Sequence, residues 1–160
     1  MNKEIRLIGV ISDTHNLLRP EVLEALKNAD LIVHAGDICN LKVLEELEAI
    51  APVVAVRGNN DKGSWADDLP VYRIIEAGGV FIYVIHDIKE TNIYPIPPEA
   101  TVVVSGHSHQ PSIKNDGNVL YLNPGSAGRI RFSLPVSVAT LKVSGKNVDA
   151  RIIPILVNSK

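Results

Sequence analysis

The first sixty residues alternate between short apolar runs and helical patterns, and this alternation constrains the fold more than any other feature. Apolar, largely β-branched runs lie at 6–11, 31–35 and 53–56. Between them, Pro20 opens one helical pattern, and Asn40 is a favourable N-cap for a second. Strand, helix, strand, helix, strand over this length is typical of βαβ units with parallel strands. The sequence therefore predicts an α/β fold.

The C-terminal half has a different pattern, in which pairs of apolar runs flank tight turns. Glycine-containing turns at 78–79, 116–117 and 144–145 each separate two such runs, which is typical of β-hairpins. Three prolines in the segment 89–98 exclude a regular helix over its second half. Because the two halves differ in this way, we expect two sheets within a single domain, residues 1–160.

Two further expectations concern packing. Leu41, Leu44 and Leu47 recur at helical spacing and are expected to face the core. Residues 62–69 are typical of an exposed loop, on which Trp65 would cover the surface or the rim of a site.

Composition excludes several classes of protein. The chain has 160 residues, of which 46% are hydrophobic and 21% charged, as expected for an ordinary globular domain. Its formal net charge is −2 and its Lys and Arg residues are scattered, so it lacks the surface of a dedicated nucleic-acid binder. The single cysteine, Cys39, excludes an intramolecular disulfide. Without a membrane-spanning run or a signal peptide pattern, a cytoplasmic location is expected.

Side chains that commonly bind metals follow several of the predicted strands. Because ligands of open α/β sheets bind at the carboxyl ends of the strands, we expect these side chains to gather at one edge. They comprise two carboxylates, one amide and four imidazoles, namely Asp13, His15, Asp37, Asn59, His86, His107 and His109.

This set contains more ligands than one ordinary divalent ion takes. Two ions roughly 3.5–4 Å apart share a bridging carboxylate and suit attack on phosphorus. Asp37 stands alone at the end of the middle strand and is the natural bridge. Mixed oxygen and imidazole ligands without thiolate favour Mn²⁺, Fe, Ni²⁺ or Zn²⁺ over Ca²⁺. Taken alone, His107 and His109 are equally typical of a polar turn that faces solvent.

Five short blocks follow one another along the chain: Asp13-x-His15, Gly36-Asp37, Gly58-Asn59-x-Asp61, His86 and Gly106-His107-x-His109. In this order they resemble the motifs of calcineurin-like metallophosphoesterases. The small size and the later Asn123-Pro124-Gly125-Ser126 are most similar to the compact bacterial and archaeal phosphodiesterase branch. The resemblance implies a four-layer α/β sandwich, in which two mixed β-sheets are flanked by helices. It also implies two divalent ions per chain, Mn²⁺ first, with Ni²⁺, Fe, Zn²⁺ or Mg²⁺ as alternatives.

The same resemblance implies the role of each residue. One ion would be held by Asp13, His15, Asp37 and His109, and the other by Asp37, Asn59, His86 and His107. A hydroxide between the ions would attack phosphorus, with Asp37 as bridge and Asn59 and His107 as further catalytic residues. The implied function is hydrolysis of a phosphodiester. The alternatives are a phosphomonoesterase or nucleotidase at the same site, and a non-catalytic metal-binding scaffold module.

Three features depart from the family pattern. Asn60 stands where many relatives carry a histidine that protonates the leaving group, a contribution of roughly 10²–10⁴-fold. Substrates with poorly acidic leaving groups are therefore expected to react slowly. Asp87 replaces the usual glycine after His86 and adds negative charge near the site. The connection at 89–98 is short for the helix that often lies there.

Several nearby polar residues are expected to support the site rather than bind an ion. His34 lies inside a strand, so a core or supporting position is favoured over ligation. Asp61 is expected to orient its neighbours through hydrogen bonds, and Asn123 and Ser126 to shape a turn.

For another group of residues the sequence leaves the role open. Arg129 and Arg131 would hold a phosphate, face solvent or contact another subunit, and Cys39 receives no role. Trp65 and Tyr94 are expected to pack rather than to line a substrate rim. Apart from a phosphoester substrate, no partner is indicated, and self-association is left open.

Overall fold

In the computed structural model, residues 5–130 and 133–157 are described, and the N-terminal part alternates strands with helices as predicted. Its elements are β1 (Leu7–Ile11), α1 (Pro20–Leu26), β2 (Leu31–His34), α2 (Leu41–Glu48), β3 (Val53–Ala55) and α3 (Ser64–Asp67). The remainder consists of strands and one short 3₁₀ helix (Ile88–Asn92). These strands are β4 (Tyr72–Ala77), β5 (Val80–Ile85), β6 (Ala100–Val104), β7 (Ser112–Asp116), β8 (Val119–Asn123), β9 (Ser137–Ser144) and β10 (Asn147–Pro154).

The strands form two mixed sheets of five strands each. Sheet A has the order β10-β9-β1-β2-β3, in which β1, β2 and β3 are parallel and β9 and β10 are antiparallel additions. Sheet B has the order β4-β5-β6-β8-β7, in which β5, β6 and β8 are parallel and the hairpins add β4 and β7. The predicted α/β class with two mixed sheets is confirmed.

The largest core lies between the two sheets. In β6, Val102 and Val104 face this core, whereas Val103 packs on the opposite side with Tyr83 of β5. Burial on both faces explains why β6 is a continuous β-branched run rather than an alternating one. The inner faces contribute Ile8, Val10, Val33, Ile82, Val84, Val102 and Val104.

The outer faces of the two sheets are covered differently. Helices α1 and α2 cover sheet A, burying Val22, Leu26 and Leu47. On sheet B, Tyr94 and Ile96 of the proline-rich connection pack over the buried Tyr83. Because its prolines lack a backbone N–H, this segment cannot continue the 3₁₀ turn as a long helix.

Two packing expectations are wrong in detail. Leu41 is 46% exposed, because the buried face of α2 is formed by Val43, Leu44 and Leu47. At 100° per residue, the first position of the helix lies more than a quarter-turn from the centre of that face. Residues 64–67 form the short helix α3 rather than a loop, and Trp65 packs against the core beneath the helices of sheet A. The expectation that Trp65 and Tyr94 pack is confirmed.

None of the helices in the described ranges has both the length and the apolar character needed to cross a lipid bilayer.

Candidate metal centre

The seven ligand-type side chains lie just beyond the carboxyl ends of five strands. Asp13 and His15 follow β1, Asp37 follows β2 and Asn59 follows β3. His86 follows β5, and His107 and His109 follow β6, so both sheets contribute. The structure brings all seven together in two neighbouring groups.

The first cluster consists of Asp13, His15 and His109. Oδ1 of Asp13 lies 3.8 Å from Nε2 of His15 and 3.4 Å from Nε2 of His109. The two imidazole rings have centroids 5.3 Å apart. The Asp13 side chain is fully buried and that of His109 nearly so. This cluster therefore lies at the bottom of the site.

The second cluster consists of Asn59, His86 and His107. Oδ1 of Asn59 lies 3.0 Å from Nε2 of His86 and 3.2 Å from Nδ1 of His107. The same two ring nitrogens are 3.3 Å apart, and the rings meet edge to face. His86 is buried, whereas the His107 side chain is 44% exposed. The second cluster therefore opens toward solvent.

Asp37 lies between the two clusters. Its Oδ2 is 3.5 Å from Nε2 of His15 in the first cluster and 3.4 Å from Nε2 of His86 in the second. Asp13 also reaches both, since its Oδ1 is 3.9 Å from Nε2 of His86. Two carboxylates are thus shared between the clusters, whereas sequence reasoning assigns a shared position only to Asp37.

Unpartnered buried atoms indicate what the first cluster can hold. Asp13 Oδ1, His15 Nε2 and His109 Nδ1 are buried without a hydrogen-bond partner. Such atoms are rare in folded proteins because an unmet buried polar group is destabilising by roughly 1–3 kcal/mol. The carboxylate–imidazole separations of 3.4–3.8 Å are longer than good hydrogen bonds. A divalent cation coordinated by oxygen and nitrogen fits this donor set.

In the second cluster, the ring of His86 is oriented so that one nitrogen can bind a cation. Nδ1 of His86 lies 2.7 Å from the carbonyl oxygen of Ala35, to which it donates a hydrogen bond. Nε2 of the same ring then faces Asn59 and Asp37. Fixing one ring nitrogen with a carbonyl is the usual way in which proteins orient a ligating histidine.

Both carboxylates are ionised at neutral pH. Burial by itself would raise the pKa of Asp13, but the contacts with His109, His15 and Ser12 and the charge of His86 together outweigh it and hold the pKa well below the usual range. Burial likewise opposes ionisation of Asp37, yet His86 and Asn60 lower its pKa to about 2. Burial by itself would lower the pKa of His86, but the nearby carboxylates of Asp37 and Asp13 and the bond to the Ala35 carbonyl together outweigh it and raise the pKa. Two full negative charges are therefore available to a cation.

Five of the seven ligand-type residues have left-handed backbone conformations. The φ angles are 55° at Asp13, 45° at His15, 58° at Asp37, 70° at His107 and 64° at His109. Residues other than glycine rarely adopt such angles, and they persist only where the surroundings enforce them. This strain could not be predicted from the sequence, because aspartate and histidine do not by themselves indicate a left-handed conformation.

The loops after β1 and β2 enforce these conformations on each other. Backbone N–H groups of Asp13, His15 and Asn16 donate to the carbonyl oxygens of residues 36, 37 and 38, each at 3.0 Å. Because the bonds run residue by residue, Asp13, His15 and Asp37 are held rigidly relative to one another.

Asp61 fixes the loop that carries Asp37. Its buried carboxylate accepts hydrogen bonds from the backbone N–H groups of Asp37, Ile38, Cys39 and Gly58, at 2.8–3.0 Å. Four donors on one carboxylate hold the left-handed turn in place and join it to Gly58, the neighbour of Asn59. The expectation that Asp61 orients its neighbours is confirmed.

Two glycines permit the close approach of the loops. A Cβ on Gly58 would lie 2.2 Å from Oδ1 of Asp37, and a Cβ on Gly106 would lie 2.0 Å from Oγ of Ser12. Any side chain at these positions would push apart the loops that carry the ligands.

His34 supports the first cluster from beneath. Its Nδ1 accepts a hydrogen bond from the N–H of Gly36 at 3.1 Å, so Nε2 carries the proton and donates to Thr14 Oγ1 at 3.1 Å. Burial is the main cause that lowers the pKa of His34 to about 3, which keeps the ring neutral. A supporting rather than a ligating position is confirmed.

Asn60 contacts Asp37 twice. Its backbone N–H donates to Asp37 Oδ1 and its side-chain amide donates to Asp37 Oδ2, both at 2.9 Å. Sequence reasoning identified Asn60 only by the acid that it lacks and missed this positioning contact. The signal that was available is its adjacency to Asn59.

Residues beside the second cluster also hold it in place. Asp87 Oδ2 lies 3.7 Å from His107 Nε2, on the side of the ring opposite Asn59. The amide of Asn123 donates to Gly106 O at 3.0 Å and to Ser108 Oγ at 3.1 Å, so it secures the turn on which His107 lies. Asn123 therefore does more than shape its own turn.

Cys39 lies behind the His15 ring. Its Sγ lies 3.8 Å from Nδ1 of His15, the ring nitrogen opposite the one that faces the cluster. Burial, with the nearby carboxylates, raises the pKa of the thiol to about 11.

Two cavities adjoin the clusters. The first, about 360 Å³, is lined by His15, Asn60, His109, Arg129 and Ile130. The second, about 370 Å³, begins at His107 and continues along the start of the proline-rich connection, where Asp87, Ile88 and Lys89 line it. Arg131 lies outside the described residues.

Comparison with known proteins agrees with this site. Residues 7–146 match the calcineurin-like phosphoesterase superfamily domain. A probable metallophosphoesterase of Methanothermobacter thermautotrophicus is 38% identical over 92% of this chain and 91% of its own. A phosphodiesterase of Methanocaldococcus jannaschii is 28% identical over 74% of this chain and 82% of its own.

The fold is also found in proteins of low sequence identity. The structure of vacuolar protein sorting 29 from Cryptosporidium parvum matches with a TM-score of 0.76 at 18% identity, over 96% of this chain and 99% of the other. Such a likeness shows the fold alone, so assignment rests on the family match and on the closer relatives. By both measures, the chain belongs to the calcineurin-like phosphoesterase superfamily.

Proposed function

We propose that this protein is a metal-dependent phosphodiesterase that hydrolyses a P–O bond at the paired clusters. The convergence of ligand-type side chains from five strand ends carries the proposal, together with Asp13 Oδ1 and His15 Nε2, which are buried near each other without hydrogen-bond partners. The M. jannaschii relative named a phosphodiesterase adds support.

The distances between the ligand-type side chains separate the residues that would hold the metals into two sets. Asp13, His15 and His109 would hold one ion, and Asn59, His86 and His107 the other, with Asp37 shared. Mn²⁺ is our first choice, with Ni²⁺, Fe, Zn²⁺ and Mg²⁺ as alternatives. When bound, two such ions offset charge on phosphoryl oxygens and lower the pKa of a water molecule.

The chain itself contributes orientation. The amide of Asn60 holds the Asp37 carboxylate between the clusters. The Ala35 carbonyl holds the ring of His86 with Nε2 toward the cluster. Asn59 and His107 are the exposed members of the set, so they are placed to contact the phosphoryl group as catalytic residues.

Two observations favour a diester over a monoester. The Asn60 amide has no titratable proton and is already bonded to Asp37, so it gives a poorly acidic alcohol no help in leaving. In addition, a cavity adjoins each cluster, which provides room for two ester arms, whereas a monoester has only one.

The test is to strip the protein of metal, reload it separately with Mn²⁺, Ni²⁺, Zn²⁺, Fe²⁺ and Mg²⁺, and compare two substrates. We expect faster turnover of bis(4-nitrophenyl) phosphate than of 4-nitrophenyl phosphate, with two ions per chain by elemental analysis. Asp116→Ala, an exposed change on β7, is the matched control for loss of a carboxylate. A preference for the monoester would indicate a phosphomonoesterase. Full metal loading without turnover of either substrate would indicate a scaffold module.

A further inference from the structure

The loop after β8 is fixed to the first cluster. Ser126 Oγ donates to the carbonyl oxygen of Asp13 at 3.2 Å, and the N–H of Ala127 donates to that of Ser12 at 3.0 Å. At Gly128 the backbone approaches Thr14 so closely that a Cβ would lie 2.1 Å from its carbonyl oxygen. The position of the next residue, 129, is therefore set by the loop that carries the ligands.

A second contact secures the same loop from outside. The guanidinium of Arg19 donates to the carbonyl oxygen of Gly128 from Nε at 3.2 Å and from Nη2 at 3.1 Å. With bonds on both sides, the backbone before Arg129 has little freedom to move away from the site.

The Arg129 side chain lines the first cavity together with His15 and His109. Among the described residues, no hydrogen-bond acceptor or carboxylate lies within bonding distance of its guanidinium. In contrast, Arg57 donates to the carbonyl oxygen of Asp61, and Arg151 pairs with Asp149. Arg129 thus presents an unpaired positive charge to a cavity beside the first cluster.

The two cavities differ in charge. Among its described lining residues, the Arg129 cavity has one cation and no carboxylate. The other cavity contains Lys89 but also Asp87, whose carboxylate lies beside His107. Negative charge that develops during P–O cleavage is therefore favoured on the Arg129 side and opposed on the Asp87 side.

We propose that Arg129 is a catalytic residue that stabilises the negative charge on the leaving oxygen, in place of an acid. The inference rests on the proposed phosphodiesterase function and names the direction in which the ester breaks. As a hydroxide oxygen bonds to phosphorus, the bond from phosphorus to the leaving oxygen breaks and its electron pair passes to the leaving oxygen. That oxygen departs into the Arg129 cavity as an anion held by the guanidinium, and water protonates it afterwards.

The experiment is a leaving-group series. Methyl aryl phosphates from nitrophenol to unsubstituted phenol are hydrolysed by the metal-loaded wild type and by Arg129→Gln. For the variant we expect a loss in kcat/KM of roughly tenfold with nitrophenol, rising to roughly 100-fold with phenol, the range of a charge-assisted hydrogen bond. Arg129→Lys keeps the positive charge but lacks the two parallel donors of the guanidinium. Its kcat/KM should therefore lie between those of the wild type and of Arg129→Gln.

Two controls isolate the charge. Ile130→Ala alters the same cavity without altering its charge, and Arg73→Gln removes an exposed arginine of β4 that lines neither cavity. Both should leave the dependence on leaving group unchanged. Added guanidinium ion should restore Arg129→Gly more with phenol than with nitrophenol, which a merely structural role would not produce.

The outcomes separate the two proposals. An active wild type with equal losses for Arg129→Gln across the series would show that Arg129 acts elsewhere on the substrate, and so would overturn this inference alone. A fully active Arg129→Gln variant would also overturn it alone. A metal-loaded wild type that hydrolyses no member of the series overturns the phosphodiesterase function and this inference with it. Thermal unfolding and elemental analysis of each variant check that fold and metal content are retained.

Discussion

The two ligand clusters have similar chemistry but are supported in different ways. In the first, Asp13 and His15 lie on the loop after β1, which is hydrogen-bonded residue by residue to the loop after β2, and only His109 comes from sheet B. The side chains of Asp13 and His109 are buried. The second combines Asn59, from sheet A, with His86 and His107, from sheet B. Its geometry therefore depends on how the two sheets pack together, as the position of His109 does in the first cluster, but its His107 side chain is 44% exposed.

The two metal positions therefore differ in rigidity and in exposure to solvent. A rigid, largely buried set of ligands that includes an ionised carboxylate loses little freedom on binding a cation and is weakly screened by water. An exposed histidine must give up side-chain freedom, and water competes with it. We therefore expect the first cluster to hold its ion more tightly than the second.

Removing the shared carboxylate should have the largest effect, because it damages both clusters at once. Asp37→Ala is expected to lower kcat/KM for bis(4-nitrophenyl) phosphate at least roughly 10³-fold, more than the loss of one electrostatic donor in other enzymes. Steady-state kinetics and elemental analysis measure the loss of activity and of metal. Asp149→Ala, at an exposed position of β10, is the control. An Asp37 variant that retained both its ions and its activity would refute the shared position.

Single histidine variants should separate the clusters. His107→Ala is expected to retain one ion per chain and to lose roughly 10²-fold in kcat/KM, while His109→Ala loses the more tightly held ion. In the wild type, titration with a chelator should remove the two ions in two steps. Removal in one step, or release of the tighter ion by His107→Ala, would contradict tighter binding at the first cluster.

Acid should weaken the support of the first cluster through His34. The unfolded histidine titrates near 6.5, whereas burial lowers the folded pKa to about 3. Because the folded pKa is the lower one, the contribution is fully present above pH 6.5 and is lost as the pH falls toward 3. The slope is at most about 1.4 kcal/mol per pH unit in the free energy of unfolding.

Urea unfolding of the metal-free protein between pH 7 and pH 4 measures this slope. His34→Gln, which keeps polar atoms but does not titrate there, should be less stable at pH 7 and show a shallower decline. Parallel curves for the two proteins would mean that His34 does not remain neutral in the folded state.

The smallest effect is expected at Asp87, beside the second cluster. Its carboxylate lies 3.7 Å from His107 Nε2 and is itself partly exposed, so its influence on the ring is modest. Asp87→Asn should weaken binding of the second ion by roughly three- to tenfold, at or below the low end for such supporting groups. Calorimetric metal titration measures it, and unchanged affinity of the first ion is the internal control. A larger change in the first ion would contradict the assignment of Asp87 to the second cluster.

Much of the fold was predictable because its signals are local. The βαβαβ pattern, the hairpin turns and the double-sided burial of β6 follow from apolar runs and punctuating residues. Leu41 and α3 were mispredicted for a tertiary reason. Which leucines of α2 face inward depends on the sheet beneath them. Residues 64–67 form a helix in which Ala66 is buried, and this burial depends on tertiary packing.

The candidate site divides in the same way. Its seven ligand-type residues could be chosen from the sequence, since parallel strands bring the residues after their carboxyl ends to one edge of the sheet. Their support could not, because Asp61, Asn60 and Arg19 act through contacts with residues far away in the chain. The role proposed for Arg129 could not be predicted either, because it follows from the cavity that Arg129 shares with His15 and His109.

By itself, then, the sequence determined the α/β class, the order of the motifs and the set of side chains able to bind metal, because each depends on residue type and spacing along the chain. Only the tertiary structure decided that Asp13 as well as Asp37 reaches both clusters, that the ligands sit on left-handed turns, and that one cluster is buried and the other open. These depend on how two sheets pack and on loops bonded across long sequence distances, which no local pattern encodes.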